Sequence, residues 1–472
     1  MKRIAIIGGG ISGLSAAFEL EKARAAGAPI QYTLLESSAR LGGSLMTERV
    51  EGCLVEGGPD SFLTEKPWAA ALCKELGLAD QIIGSNDAQR KTYIVVHGKL
   101  IAMPDGLMFM VPTKLVPTAL SSLFSWSTKV RMARELLHPP RRMQGDETVG
   151  ELVERHFGAE VVDRLADPLL SGVYGGDANR LSARAVLPRF VEMEEKYGSL
   201  SRAMLEAHRK MAAMAKSHAP RPLFSSLKDG MQQMVNAVTA RLDPHSIRLR
   251  VSVRGIYRSN GGWRLAIDLG EDQYYDAVVL CAPANVTGAL LESVDASLAA
   301  DLLDITYSSS VTITLGYYAE QLAHLPPGFG FLVPRSEGKR MLACTFVHNK
   351  FPHRTPGDKG LLRCFLGGAR DEAALSLSDD ELLATVRSEL DQVVKLRERP
   401  IFARIYRWRG AMAQYESGHI ARVERIEKRI SDIAGLAIAG NAYHGIGVPD
   451  CIRSGQEAAA AIVARMPVEA SA

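Results

Sequence analysis

Residues 4–13, IAIIGGGISG, are a short apolar run that breaks into glycines, and the chain continues as LSAAFELEKA with apolar residues at helical spacing. Gly8, Gly10 and Gly13 have the G-x-G-x-x-G spacing, which allows a tight turn and a close approach of a pyrophosphate to the backbone. The N-terminus of the following helix presents free N–H groups and a partial positive charge. This stretch therefore predicts a dinucleotide site in a Rossmann-type strand-turn-helix unit.

The next predicted strand, QYTLLE at residues 31–36, supports this interpretation because it ends in an acid. Glu36 is placed to hydrogen-bond a ribose hydroxyl and to disfavour a 2′-phosphate. Arg40 and the pair Gly42–Gly43 follow within seven residues. A second glycine-rich turn of this kind is typical of FAD-binding rather than NAD-binding chains, so we expect FAD as the cofactor.

The composition is that of a globular protein, with 472 residues, 47% hydrophobic and 23% charged, and without a low-complexity stretch. This length allows two or three domains with large cores. The formal net charge of +3 gives no support to nucleic-acid binding. The sequence lacks an uninterrupted run of about 18 apolar residues, so we expect no segment to span a bilayer.

The six cysteines are scattered without a C-x-x-C pair, which predicts buried thiols in a reducing compartment. Met1, Lys2 and Arg3 lead directly into the first predicted strand, without the apolar run and cleavage site of a secretory signal. We therefore expect a cytoplasmic protein.

The sequence predicts an α/β (α+β) fold in which a Rossmann-type FAD-binding domain is discontinuous. The FAD-binding domain is predicted from residues 1–90, 235–300 and 425–472. A second domain with an antiparallel sheet is predicted from residues 91–103, 219–234 and 301–424. Residues 104–218 are predicted to be helical, because apolar residues recur there at intervals of three and four.

The C-terminal segment, residues 435–466, reads as strand, glycine-rich turn and helix, with Asp450 predicted at the N-cap. The N-terminus of such a helix can face the electron-rich edge of a flavin ring. His444 lies in the turn and is a candidate base, but a histidine on a glycine loop is more often structural. Cys451 is likewise interpreted as a small packing residue rather than a flavin tether.

Six segments together resemble the oxygen-dependent porphyrinogen oxidases, which are FAD enzymes of haem synthesis within the amine-oxidase-like flavoproteins. These segments are GGGISGLSAAFEL (8–20), LLESSARLGG (34–43), EGGPDSF (56–62), SGVYGGD (171–177), GFGFLVP (328–334) and GNAYHGIGVPDCIRSG (440–455). The resemblance extends over nearly the whole chain. It implies an FAD domain without a covalent flavin link, an antiparallel-sheet substrate domain, and a helical membrane-binding domain at residues 104–218.

The resemblance also implies two sets of contact residues. The flavin contacts are Gly8, Gly9, Gly10, Ile11, Ser12, Gly13, Glu36, Ser37, Arg40, Gly42, Gly43, Ser44, Gly58, Pro59, Asp60, Ser61, Val253, Asn441, Ile446, Gly447 and Val448. The substrate contacts are Lys91, Gly172, Phe329, Gly330, Leu332 and Phe365.

Two positions depart from the family pattern. Several relatives carry an arginine that holds a substrate carboxylate, and the matching residue here is Lys91 or, with a shift of one, Arg90. Ser44 stands where some relatives have an aromatic residue. Other candidate cations for a substrate carboxylate are Arg184, Arg335 and Lys339.

The implied reaction is the six-electron oxidation of a porphyrinogen to a porphyrin with release of hydrogen peroxide. A meso carbon would give a hydride to flavin N5, and oxygen would reoxidise the flavin. Neither a catalytic triad nor a metal-ligand spacing is visible in the sequence, and this chemistry requires neither. We expect protoporphyrinogen IX as the substrate, with coproporphyrinogen III as the alternative.

Three other interpretations stay open. A flavin amine oxidase or a carotenoid desaturase shares the N-terminal glycine turn and the hydride chemistry. A binding or escort protein of the same fold would lack flavin altogether. A membrane scaffold built on the helical segment alone is the least supported by the motifs.

Residues 104–137 contain GLMFMVPTKLVPTALSSLFSW, an apolar stretch interrupted by Pro112, Lys114 and Pro117 and followed by basic residues. Such a segment is expected to lie in the headgroup region of one leaflet, with Phe109 and Phe124 in contact with lipid. The alternative is that these side chains pack the core of the helical domain. We therefore expect peripheral attachment to the inner face of the cell membrane. A homodimer is a further expectation that the sequence leaves open.

Overall fold

The computed structural model describes residues 1–108, 110–112, 115–142, 145–214, 222–268 and 270–465. The strands of these residues, in chain order, are β1 (Lys2–Ile7), β2 (Ile30–Glu36), β3 (Thr47–Val50), β4 (Cys53–Glu56), β5 (Phe62–Leu63), β6 (Ile82–Gly84), β7 (Thr92–Val96), β8 (Lys99–Ala102), β9 (Leu107–Met108), β10 (Val111–Pro112), β11 (Phe224–Leu227), β12 (Ile247–Leu249), β13 (Val253–Ser259), β14 (Gly262–Ile267), β15 (Gln273–Tyr275), β16 (Ala277–Leu280), β17 (Tyr307–Tyr318), β18 (Gly330–Leu332), β19 (Ala343–Phe346), β20 (Lys359–Gly367), β21 (Phe402–Ala413) and β22 (Leu436–Ile438).

The α-helices of the same residues, in chain order, are α1 (Ile11–Ala25), α2 (Pro67–Glu75), α3 (Leu115–Leu120), α4 (Trp126–Glu135), α5 (Val149–Phe157), α6 (Ala159–Val161), α7 (Asp167–Tyr174), α8 (Ala183–Val186), α9 (Pro188–Tyr197), α10 (Leu200–Met214), α11 (Gln232–Thr239), α12 (Ala284–Leu291), α13 (Ala296–Leu303), α14 (Ala319–Leu322), α15 (Val347–Lys350), α16 (Asp379–Val394), α17 (His419–Asp432) and α18 (Val448–Arg465). A π-helical turn, Val162–Ala166, connects α6 to α7.

A parallel sheet with the strand order β12-β2-β1-β16-β22 contains the glycine turn. Its central strand β1 is the apolar run, and Ile4, Ala5 and Ile6 are fully buried, because both faces of the sheet are covered. Helices α1 and α18 pack on one face, and β13–β15 with α12, α13 and α17 pack on the other. The loops after β1, β2 and β22 therefore meet at the carboxyl edge of one sheet.

The second large sheet has the order β21-β17-β20-β19-β18-β7-β8. Its pairs are antiparallel except for β18 with β7, which is parallel. Alternation along β20 places Leu362, Cys364 and Leu366 in a core with α16, and places Arg363 and Phe365 on the opposite face. That opposite face is available to a site between the sheet and the rest of the molecule. The structure thus confirms the predicted combination of a parallel and an antiparallel sheet.

Helices α4 to α10 surround a separate apolar core. Phe124 belongs to this core and is only 4% exposed, so the expectation that its ring contacts lipid was wrong: the side chain packs inward. Phe109 lies outside the described residues. Within the predicted helical segment 104–218, α9 and α10 are separate helices because Gly198 adopts a φ of 74° between them.

Among the described residues, none of the helices combines the length and the apolar character that crossing a bilayer requires. The domain bounds and the membrane-binding role of residues 104–218 stay predictions.

Candidate functional site

The turn between β1 and α1 is shaped to receive an anion. A Cβ at Gly13 would lie 1.8 Å from the carbonyl oxygen of Gly8, so only glycine allows this contact of helix and strand. Gly10 precedes the helix in an extended conformation, no side chain caps the helix, and its first turn carries no acid. A Cβ at Gly10 would meet open space. The first amides of α1 therefore have no partner within the helix and border a cradle of the kind that holds a pyrophosphate.

Glu36 ties the glycine turn to the end of β2. Its carboxylate accepts hydrogen bonds from the Gly9 amide at 2.6 Å and from the Ser38 amide at 2.7 Å. Ser37 beside it is exposed. Val253 begins β13 two residues after Val251, whose amide donates to the Glu36 carbonyl oxygen at 3.0 Å. The structure thus brings Glu36 and Val253, two of the predicted flavin contacts, close together.

Arg40 organises the second glycine turn. Its guanidinium donates to the carbonyl oxygens of Leu41 at 3.2 Å and Leu45 at 3.1 Å, and to that of Gly43. The Gly42 amide donates to Gly9 at 2.8 Å, so the two glycine turns lie against each other. Arg40 therefore acts on the backbone of the turn, a role that the sequence did not distinguish from direct flavin contact.

The segment EGGPDSF reaches the same place from β4. A Cβ at Gly58 would lie 1.9 Å from the carbonyl oxygen of Ser44, so the two predicted contact residues touch. The Trp408 indole donates to the carbonyl oxygen of Gly57 at 2.9 Å. Pro59 and Ser61 are half-buried. This contact joins the parallel-sheet part of the site to strand β21 of the second sheet.

Asp60 is the centre of a buried ionic cluster that the sequence did not indicate. The Lys350 ammonium donates to its carboxylate at 3.1 and 3.2 Å, and the Arg363 guanidinium lies 3.9 Å from it. Arg354 donates to the Asp60 carbonyl oxygen at 2.7 Å and to Glu56 at 3.2 Å. The cluster combines three cations with two carboxylates and therefore carries an excess positive charge.

Burial disfavours the charged form of every group in this cluster. The pKa shifts show for which groups the neighbouring charges outweigh burial. For Asp60, Lys350 and then the arginines outweigh burial and hold the pKa of the carboxyl well below its usual range. For Glu56, burial outweighs Arg354 and raises the pKa of the carboxyl. Burial also lowers the pKa of Lys350. Asp60 is thus the charged anchor of the cluster at neutral pH.

The loop between β22 and α18 forms the other side of the site. Tyr415 holds it, because the phenol oxygen accepts from the Gly445 amide and donates to the Asn441 carbonyl oxygen, both at 2.8 Å. Asn441 donates to the Ala411 carbonyl oxygen at 3.0 Å. The loop passes through Ile446 and Gly447 into α18, which begins at Val448.

Asp450 is not the N-cap that the sequence predicted. It lies in the first turn of α18, and its carboxylate accepts from Lys66 at 2.6 Å. His444 is exposed and pairs with Glu427 on the surface, which supports its structural interpretation. Cys451 is buried, and burial raises the pKa of its thiol to about 12, so it stays a neutral packing residue.

His419 supports Tyr415 and therefore the loop. The two rings stack at 4.0 Å between centroids, and the imidazole Nε2 donates to the Tyr443 carbonyl oxygen at 3.3 Å. Burial lowers the pKa of His419 to about 4. Because the unfolded chain has a pKa near 6.5, the neutral ring favours the fold above pH 6.5, and this stability is lost as pH falls toward 4.

Replacing His419 with Phe should reduce the acid sensitivity of the protein. We expect the wild type to lose about 2 kcal/mol of unfolding free energy through this group between pH 7.5 and 5.0, and the variant to lack that loss. Urea unfolding at the two pH values measures it. The exposed His245→Phe should behave as wild type, and an unchanged pH dependence in His419→Phe would contradict the assignment.

The open face of the seven-stranded sheet carries the residues assigned to the substrate. Register places Leu332 opposite Ala343, Ala343 opposite Phe365, and Phe365 opposite Thr312. Gly330 and Leu332 lie on the same face of β18. Gly172 of α7 faces this sheet, since a Cβ there would lie 3.6 Å from Leu332. The structure thus brings Gly172, Leu332 and Phe365 to one surface.

The cations that were predicted to bind a substrate carboxylate lie at the border of this sheet face. Lys91 is exposed, and its carbonyl oxygen accepts from the Phe329 amide at 2.7 Å, so it stands at the start of β18. Arg90 is also exposed. At the other end of β18, Arg335 pairs with Asp177 of SGVYGGD at 3.7 Å. Lys339 donates to Gln392, and Arg184 is exposed on α8.

The sequence did not predict the cations around Asp60 or the support of the β22–α18 loop by Tyr415. One signal was present: Arg363 precedes Phe365 by two residues in the strand-like LLRCFL, so both side chains lie on one face. Lys350 and Tyr415 gave no such signal, because their neighbours come from distant parts of the chain.

Glu135, His138 and His156 offer ligand atoms within 4.8 Å of one another, a grouping that the sequence did not predict. His156 Nδ1 already donates to Glu135 at 2.9 Å. The same carboxylate accepts from the Leu200 and Ser201 amides at 2.6 and 3.2 Å. These hydrogen bonds join His156 to Glu135 in the interior and let Glu135 cap α10.

Residues 11–463 match the family of flavin-containing amine oxidoreductases. A coproporphyrinogen III oxidase of Bacillus subtilis is 33% identical over 459 residues, which is 97% of each chain. Protoporphyrinogen oxidase 2 of Arabidopsis thaliana is 29% identical and covers 98% of this chain and 94% of its own. A crystal structure from Exiguobacterium sp. 255-15, provisionally named a protoporphyrinogen oxidase, superposes with a TM-score of 0.88 at 31% identity, over 98% of this chain and 99% of its own.

These matches confirm the resemblance and the expectation of FAD. The residues fit this cofactor on their own geometry, because the Gly8–Gly13 cradle, the Glu36 carboxylate and the Ser44–Gly58 contact adjoin the start of α1. The contacts of individual residues with FAD stay predictions.

Proposed function

Because the chain belongs to the flavin-containing amine oxidoreductase family, we propose that it oxidises coproporphyrinogen III to coproporphyrin III. Three rounds of two-electron oxidation remove six electrons and six protons from the macrocycle and reduce three molecules of O2 to hydrogen peroxide. The observation that carries the proposal is the full-length similarity to a bacterial coproporphyrinogen III oxidase.

The choice of substrate departs from our expectation of protoporphyrinogen IX. The bacterial relative named for coproporphyrinogen III is more similar to this chain than the plant relative named for protoporphyrinogen. The distribution of charge agrees with a substrate that has four propionates, because cations stand at both ends of β18, Lys91 at its start and Arg335 beyond its end. Either cation can pair with a propionate on its own side of the ring.

When bound, FAD supplies the hydride acceptor and passes electrons to oxygen. The residues of the chain position the substrate. The sheet face with Leu332, Phe365 and Thr312 provides one wall, and Gly172 packs against Leu332 at its border. The apolar wall excludes water and holds the macrocycle, while rim cations fix its rotation. Asp60 and its ionic cluster hold the EGGPDSF loop in place between the parallel sheet and the seven-stranded sheet.

Anaerobic incubation with each porphyrinogen, followed by oxygen, tests the proposal. Porphyrin fluorescence should show a kcat/KM for coproporphyrinogen III at least about tenfold above that for protoporphyrinogen IX, which corresponds to about 1.4 kcal/mol. Peroxide should form in a threefold molar ratio to porphyrin. Turnover of an amine or a polyene instead would favour the amine oxidase or desaturase interpretation, and purified protein without flavin absorbance would favour the binding protein.

Replacing Lys91 with Met should raise KM for the porphyrinogen about two- to fivefold and leave kcat nearly unchanged. An exposed ion pair far from the reacting carbon contributes equally in the ground state and the transition state. Steady-state kinetics measure both constants, with Arg90→Met as the neighbouring comparison. A larger KM effect in Arg90→Met than in Lys91→Met would assign the carboxylate to Arg90.

We further propose that α3 and α4 attach the protein to the surface of an anionic membrane. Val116, Leu120, Trp126 and Val130 expose apolar side chains there, with Leu120 82% and Trp126 76% exposed. The Lys129 ammonium lies 4.6 Å from the centre of the Trp126 ring. Exposed apolar side chains beside cations match the interface between headgroups and acyl chains.

The double variant Leu120→Asp with Trp126→Asp should lose flotation with anionic liposomes, whereas Tyr274→Asp, at an exposed aromatic residue on β15, should float as the wild type does. Density-gradient flotation measures the bound fraction. If the wild type stays at the bottom of the gradient, or if the double variant floats with it, the membrane proposal is wrong.

A further inference from the structure

A cavity of about 600 Å³ lies apart from the residues assigned to flavin and porphyrinogen. Hairpin β3–β4, strand β6, the turn after β11 and residues 352–354 contribute its walls. Leu54, Ile83 and Pro352 form an apolar part of the lining. The volume is in the range of cavities that bind small organic ligands.

The charged lining is mainly positive. Arg49, Lys228 and Arg354 contribute cations, and Asp229 contributes the single carboxylate. Asp229 is already paired with Arg49 at 2.5 Å. The Lys228 side chain is exposed and makes no hydrogen bond or ion pair with the described residues. A ligand with negative charge would therefore find at least one cation without a competing partner.

Arg354 is the buried wall of the cavity. The residue is 1% exposed, and its Nη2 donates to Ser226 at 2.7 Å as well as to Glu56 and the Asp60 carbonyl oxygen. Its Nε is buried and has no hydrogen-bond partner among the described residues. Because this Nε is closed off from solvent, Arg354 acts on the cavity through its positive charge rather than through a hydrogen bond to a ligand.

The pKa of His353 also reflects the positive charge around the cavity. Burial and then the neighbouring Arg354 lower the pKa of its imidazole to about 4, although Asp229 acts in the opposite direction. The ring is therefore neutral at physiological pH. An anion in the cavity would oppose the field of Arg354 and raise the pKa of this ring.

We propose that this cavity binds an organic anion with a carboxylate or phosphate group and an apolar body. The acidic group pairs with Lys228 and faces Arg354, and the apolar body contacts Leu54 and Ile83. Arginine and lysine are the side chains that bind such groups. Because Arg354 also holds the Asp60 backbone, the ligand lies one residue away from the loop predicted to contact the flavin.

Isothermal titration of the flavin-loaded protein tests the proposal with three probes: naphthalene-2,6-dicarboxylate, pyrophosphate and the neutral naphthalene-2,6-dimethanol. We expect the dicarboxylate to bind with a Kd below about 1 mM, pyrophosphate to bind more weakly, and the neutral diol to show no saturable binding. The NMR-measured pKa of His353, assigned with His353→Gln, should rise on addition of the dicarboxylate.

Lys228→Glu should weaken the dicarboxylate at least about tenfold, whereas Lys428→Glu, a charge reversal on the exposed side of α17, should change its Kd less than about twofold. Flavin absorbance of both variants checks that the fold is retained. Equal binding of the diol, an unchanged Kd in Lys228→Glu, or no titratable binding of either anion would overturn the proposal.

Discussion

Replacing Gly13 with aspartate should abolish retention of FAD. Even the first side-chain carbon would lie 1.8 Å from the Gly8 carbonyl oxygen, so α1 must move away from β1. The carboxylate would also add negative charge where the helix N-terminus receives a pyrophosphate. We expect the purified variant to contain less than about a tenth of the wild-type flavin, measured as the absorbance ratio of flavin to protein.

Two further variants separate the steric effect from the charge. Gly13→Ala lacks the charge but has the same steric conflict, so it should lose most of its flavin as well. Gly357→Asp introduces the same residue where a Cβ meets open space and φ is ordinary, so it should keep wild-type flavin content. Full flavin content in Gly13→Asp would overturn the assignment of the loop.

Local signals determined the parts of the fold that could be predicted. The glycine spacing after an apolar run identified β1 and α1, and the Asn260–Gly261 pair is an equally local signal for the β13–β14 hairpin. Both turn residues have positive φ, 45° and 79°, as a two-residue hairpin requires. In each case the residues that cause the geometry are neighbours in sequence.

Strand order could not be predicted in the same way. Strand β7 at residues 92–96 pairs with β18 at residues 330–332, and neither segment contains information about its partner. The division of α9 from α10 was missed because the apolar spacing continues across Gly198. Pairing and packing over long sequence separations depend on the whole chain.

The site also combines features that local sequence predicts with features that depend on distant contacts. The motif segments predicted the Gly8–Gly13 cradle and the Ser44–Gly58 contact region, but they did not predict the cations that surround Asp60. Lys350 lies in HNKFPH, and a lysine in such a short mixed segment is normally exposed, yet it is buried against Asp60. Only tertiary packing of α15 on the EGGPDSF loop creates this ion pair.

Asp60→Asn should destabilise the protein by about 3–5 kcal/mol, because it leaves Lys350, Arg354 and Arg363 buried with one carboxylate, Glu56. The amide is similar in shape, so the loss comes from charge rather than from volume. Urea unfolding at pH 7.5, followed by flavin release and by far-UV circular dichroism, measures the change. Asp80→Asn, at an exposed position outside the cluster, is the matched control and should stay within about 0.5 kcal/mol of wild type.

The double variant Asp60→Asn with Lys350→Met distinguishes a charge effect from a general weakening of the loop. If uncompensated charge causes the loss, removing the ammonium should restore part of it, so the double variant should be more stable than Asp60→Asn alone. Lys350→Met alone should cost less than Asp60→Asn, since two arginines still face the carboxylate. Additive losses in the double variant would instead show that Asp60 acts through the hydrogen bonds of its loop and not through the cations.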